Sequence, residues 1–171
     1  MRNPVRRPPV CWSPPPNACY KGNFNATLFD GLDYARIGVV FRDSKGNVIA
    51  TLSQMIGFTP SIELDEAFAD RRAVVLAKEL GLFNVIIEGD CLRIVQALKS
   101  FGLCKTLFGQ VVEESKRLGR TLWHCHFQHV HRKGNRLAYG LARRAVLSAD
   151  TDVWAEDLSS DLEDVFQSDF V

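Results

Sequence analysis

From Tyr20 to Phe29 apolar and polar side chains alternate. Phe24, Ala26 and Leu28 fall on one side; Asn23, Asn25 and Thr27 fall on the other. A period of two is the signature of a strand with two unlike faces. The polar face belongs either to solvent or to a site that other segments complete. Ile37–Arg42 and Val48–Gly57 repeat the strand pattern. Asp43–Asn47 between them is hairpin chemistry, with Gly46 and Asn47 tolerant of positive φ. With a short link around Gly31–Arg36, this opening forms an antiparallel three-stranded meander.

The period then lengthens. Thr59-Pro60-Ser61 supplies a helix start, and Glu63, Asp65 and Glu66 suit the positive end of the helix dipole. The helix runs to Leu80 and stops at Gly81. Glu66, Ala69, Ala73, Ala77 and Leu80 share one face, so three alanines let this helix sit close to a sheet. Asn84–Glu88 is a short buried strand, turned by Gly89-Asp90 into a helix over Cys91–Phe101. A further helix over about 107–118, a strand over Arg120–Val130, a basic loop at His131–Gly134 and a last helix capped by Asn135 and running to about Ser148 follow. The order β-β-β-α-β-α-α-β-α requires parallel crossovers after the meander, hence a mixed sheet. In open sheets of this kind sites form at the carboxyl ends of the parallel strands, and Asp90 sits at one such end.

Charge is unevenly spread. The 171 residues carry 21 Lys and Arg against 20 Asp and Glu, but residues 150–171 hold eight of the acids and no Lys or Arg. The remaining 21 bases and 12 acids give residues 1–149 a net charge of +9. A basic body is the electrostatic footprint of a phosphate-backbone binder. The chain divides into a Pro/Arg-rich extended leader (1–17), a folded domain (18–149) and an acidic, flexible tail (150–171), in which Leu158, Leu162, Val165 and Phe166 offer a weak amphipathic turn. That tail could fold back on the basic face. No apolar run is long enough for a membrane span, and Met1–Pro16 lacks the apolar core of a secretory signal. Five scattered cysteines point to free thiols and an intracellular, reducing compartment.

Several strings then combine: W-S-P-P-P (Trp12–Pro16), K-G-N-F-N-A (Lys21–Ala26), V-V-F-R-D-S-K-G-N (Val39–Asn47), D-E-A-F-A (Asp65–Ala69), E-G-D-C (Glu88–Cys91) and H-V-H-R-K-G-N-R-L-A-Y-G-L-A (His129–Ala142). In this order and spacing the chain resembles the plant-type ribonuclease H-like domain, a group that includes the ribonuclease H portions of retrotransposon reverse transcriptases. The resemblance implies an α/β ribonuclease H-like fold, a five-stranded mixed sheet with a central first strand and helices on both faces. It also implies two-metal hydrolysis of the RNA strand of RNA–DNA hybrids. That chemistry needs several carboxylates to hold two Mg²⁺ ions in line with a phosphate.

By the same resemblance, Glu66 and Asp90 match the second and third catalytic acids, while the first stands at Asn25 and the fourth at Tyr139. The glycine of the pattern is Ala26. An asparagine removes a full charge where two dications meet, and a phenol is no Mg²⁺ ligand at neutral pH. Tyr139 is also expected to fill the metal pocket. At most one weak Mg²⁺ on Glu66 and Asp90 is expected; Asp70, one helical turn from Glu66, is the remaining acid that could substitute.

The binding side is better kept. Arg132, Lys133, Asn135, Arg136, Arg143 and Arg144 cluster on the basic loop and last helix, placed to meet backbone phosphates; a solvated helix face is the alternative. Gly140 costs that helix roughly 1 kcal/mol against alanine. His124, His126, His129 and His131 could hold a metal, although outward positions of a strand explain them more simply. The sequence thus reads as a monomeric nucleic-acid-binding domain (RNA–DNA hybrid or RNA) with a degenerate nuclease centre. The alternatives are an active ribonuclease H and a protein-interaction module.

Overall fold

Strand β1 (Tyr20–Leu28) lies inside a mixed sheet of order β5-β4-β1-β2-β3-β6. In this computed structural model residues 11–29, 31, 33–57, 59–144, 151–155, 158 and 160–169 are described. β2 (Tyr34–Arg42) pairs antiparallel with β1 and with β3 (Val48–Gly57). The β2–β3 turn is closed by Asp43, whose Oδ1 accepts from Lys45 N and Asn47 N, each at 2.9 Å. Gly46 alone takes positive φ there, at 85°; Asn47 does not.

On the other side of β1, β4 (Asn84–Gly89) and β5 (His124–His129) run parallel to it, as the crossover argument requires. The expected strand from Arg120 begins only at His124, because Thr121 still closes the preceding helix, its hydroxyl donating to Leu118 O at 2.6 Å. Helix α1 (Ile62–Glu79) starts at Ser61, whose Oγ accepts from Leu64 N at 3.1 Å. It ends before Gly81, at φ 70°. Helices α2 (Leu92–Lys99), α3 (Gly109–Gly119) and α4 (Arg136–Arg143) complete the expected order.

Alternation in the strands sorts the two faces. Phe24, Ile37, Val39, Phe41, Leu52 and Ile87 face α1 and α3, meeting Ala69, Ala73 and Ala77 of the alanine stripe. Val40 faces the opposite side, where Leu137, Ala138 and Leu141 of α4 pack. Gly38 lets α4 approach: a Cβ there would meet the backbone oxygen of Ala138 at 2.3 Å.

The acidic segment departs from the expected flexible tail. Thr151–Ala155 forms β6, a sixth strand antiparallel to β3. A turn at Ser160–Leu162 leads into α5 (Glu163–Ser168). The physical reason is burial: Leu162 joins the α4 cluster, with Leu158, Val165 and Phe166 packed on it. Gly140 makes room, since a Cβ there would stand 2.7 Å from a Leu162 methyl. Among the described residues, Asp161 pairs with Arg144 at 3.4 Å and Asp169 with Arg42 at 2.6 Å. Asp150, Glu156, Asp157 and the first ten residues of the leader lie outside the described residues. The rest of the leader has no helix, as expected, but Trp12 is buried rather than loose. No described helix is long and apolar enough to cross a membrane.

Candidate functional site

The polar face of β1 is not solvent. Asn23 and Asn25 are both buried, and each carries a network. Asn23 Nδ2 donates to Glu88 Oε1 at 2.9 Å and Asn135 Oδ1 at 3.2 Å, while its Oδ1 accepts from the Trp12 indole at 3.1 Å. Glu88 is thereby spent on structure, with Lys21 Nζ also 3.6 Å from it. Asn135 was expected to cap α4, yet its side chain makes no cap bond. Its amide instead donates to Phe24 O at 2.9 Å and to Asp90 Oδ1 at 3.4 Å.

Two residues along β1, Asn25 stands between Glu66 and Asp90. Its Nδ2 donates to Asp90 Oδ1 at 3.3 Å and to Glu66 Oε1 at 3.4 Å. Two carboxylates opposite one amide require that its NH₂ end face them. Glu66 Oε1 also accepts from Ala26 N at 3.1 Å, whereas Oε2 is buried without a hydrogen-bond partner. Burial pushes the Glu66 carboxyl well above its usual range; Asp90 and Asp65 nearby add to this, and only the Ala26 amide opposes it. Asp90 is reached from outside by Arg132, its Nε 3.9 Å from Oδ2, and by His129, whose ring nitrogen is 3.3 Å from the Asp90 carbonyl.

The sheet therefore brings Asn25, Glu66, Asp90 and Asn135 together. It does not bring Tyr139 into hydrogen bonding with them. Tyr139, expected to fill the metal pocket, lines a cleft with Arg132, Lys133 and Arg136, and Val165 and Asp169 of the C-terminal segment line it too. Its hydroxyl accepts from Arg143 Nη1 at 2.8 Å. Asp70 offers no substitute acid: it is fully buried beside Ser115 of α3, and burial pushes its carboxyl up to about 7. The Ser115 hydroxyl lowers it less, and neither Asp70 oxygen completes a hydrogen bond.

These donors do not fit a two-metal centre. Glu66 and Asp90 are two carboxylates with an amide NH₂ pointing at both. Among the described residues no three His, Cys, Asp or Glu side chains gather as a metal site. His124 and His126 stack on β5 with ring centroids 6.5 Å apart and join no such group. Of the basic residues, Arg132, Lys133, Arg136 and Arg143 are exposed on one stretch, while Arg144 turns to Asp161 and Asn135 is buried. Sequence reasoning missed the Trp12–Asn23 link and the Arg42–Asp169 pair; Trp12 and Arg42 both lay inside the strings that carried the resemblance.

The family described as reverse transcriptase-like matches residues 23–145, well over half of the chain. The chain belongs to the reverse transcriptase-like family. Its ribonuclease H-like domain is similar to ribonuclease H1 from the halophilic archaeon Halobacterium salinarum NRC-1, at 21% identity over 74% of this chain and 96% of that one, with a TM-score of 0.67. It is also similar to LC11 ribonuclease H1 in complex with an RNA/DNA hybrid, at 22% identity over 74% and 96% of the two chains, TM-score 0.66. The prototype foamy virus protease–reverse transcriptase matches at 16% identity over 82% of this chain and 23% of its own, TM-score 0.58. No curated protein matches the chain significantly. These likenesses establish the ribonuclease H fold of this reverse transcriptase-like domain.

Proposed function

We propose that this domain binds nucleic acid, RNA–DNA hybrid or RNA, and that its two-metal nuclease centre is degenerate. The observation that carries the reading is Asn25, whose amide donates to both retained acids from the place where the family pattern has a bridging carboxylate. A donor there occupies acceptor atoms that a cation would need, and it supplies no charge to hold two dications close together. Glu66 and Asp90 retain at most one weakly held Mg²⁺. The hybrid bound in the LC11 structure supports the substrate class. Four exposed cations, Arg132, Lys133, Arg136 and Arg143, support backbone contact beside the acids. Five unpaired cysteines agree with a reducing intracellular compartment, and the domain acts as a monomer. The retained Glu66–Asp90 pair favours one second reading, a residual hybrid ribonuclease.

Titrating salt against binding of a labelled RNA–DNA hybrid tests the interface. Four phosphate contacts give a slope of log K on log salt of roughly −3. Binding that does not weaken with salt removes the reading.

A further inference from the structure

A cleft of about 850 Å³ opens beside the acids, between the basic loop with α4 on one side and α5 on the other. Arg132, Lys133 and Arg136 contribute three cations to one wall. Asp169, on the opposite wall, pairs with Arg42 at 2.6 Å, and the surface between the two walls is largely apolar. Tyr139 lines it and is 39% exposed, although it lies on a helix seated against the sheet. Arg143 holds that ring, bonding its hydroxyl at 2.8 Å and lying 5.5 Å from its centroid. Val165 supplies apolar surface across the gap.

Cations on one wall and a held aromatic ring are the two elements that bind a nucleotide, the phosphate by charge and the base by stacking. The volume falls in the range that takes a small molecule or one extruded residue, too small for a duplex. Arg132 touches both regions, since its Nε is 3.9 Å from Asp90 Oδ2.

We propose that the cleft binds an unpaired nucleotide of a single-stranded extension, its base stacked on Tyr139 and its phosphates on Arg132, Lys133 and Arg136. The inference rests on the nucleic-acid reading above and adds its single-stranded component. On this account the tyrosine at the position of an acid in the family pattern is a binding platform.

Fluorescence anisotropy with labelled RNA–DNA hybrids tests it, comparing blunt probes with probes carrying a single-stranded extension of about four nucleotides. DNA and RNA extensions are measured separately, so that the strand that enters the cleft is identified. The expected result is an extension that tightens binding by about tenfold, within the range set by one stacked base. The ratio of extended to blunt affinity falls to about one in Tyr139→Ala and is kept in Tyr139→Phe, both first shown to melt cooperatively. If neither extension tightens binding, or if the gain survives Tyr139→Ala, the inference fails while hybrid binding stands. If no probe binds at all, it fails together with the nucleic-acid reading.

Discussion

The Arg42 guanidinium, buried in β2, donates to Asp169 Oδ2 at 2.6 Å and lies 3.9 Å over the Trp12 ring. One side chain thus joins the leader, the central sheet and the C-terminal segment. Among the described residues Nε and Nη2 have no hydrogen-bond partner, so Asp169 is the compensation of this guanidinium. Removing one partner of a buried pair leaves an uncompensated charge and costs about 3–5 kcal/mol. Asp169→Ala is expected to lose that much in urea unfolding. Adding Arg42→Met in the same chain is expected to restore part of it, because no buried charge then remains.

Asp70 makes stability depend on pH. Burial raises its carboxyl from 3.8 to about 7, so the folded protein holds a proton that the unfolded chain has lost between those values. A raised acid stabilises the fold fully below about pH 4, and the contribution is lost as pH rises toward 7. The span corresponds to on the order of 4 kcal/mol. Asp70→Asn keeps the neutral shape and is expected to flatten the difference; unfolding free energies at about pH 3.5 and about pH 7.5, either side of the window, measure it. Glu66 and Asp65 are raised in the same direction and add to the slope that remains.

Gly38 and Gly140 both bear on α4, but their costs differ. A Cβ at 38 meets backbone at 2.3 and 2.5 Å, which cannot swing aside. A Cβ at 140 meets the end of the Leu162 side chain at 2.7 Å. Gly38→Ala is expected to cost about 3 kcal/mol or more by overpacking. For Gly140→Ala the gain of roughly 1 kcal/mol in helix propensity offsets most of the repacking. Thermal melts of the two variants check the order.

How much was legible follows from which forces are local. The alternation of Phe24 and Ala26 and the alanines of α1 fix their faces through chain geometry alone, and both reach the core as read, whereas Leu28 at the strand's end is exposed. The motif spacing named Asn25, Glu66 and Asp90, and hydrogen bonds join the three. What escaped were choices made between distant segments. Asn135 has the composition of a helix cap, but two acceptors from β1 and Asp90 compete for its amide and win. Residues 150–171 have the charge of a disordered tail, yet the edge of β3 gives Thr151–Ala155 a strand to pair with and the α4 surface gives Leu162 something to bury against. Tyr139 was placed by its position in a motif, and its side chain is held in the cleft by Arg143 one turn away.

The central claim is that Asn25 ends efficient two-metal chemistry. Incubation of the full chain with a labelled RNA–DNA hybrid and Mg²⁺ or Mn²⁺ tests it most directly. The account predicts an intact RNA strand; cleavage that disappears in Asp90→Asn contradicts it.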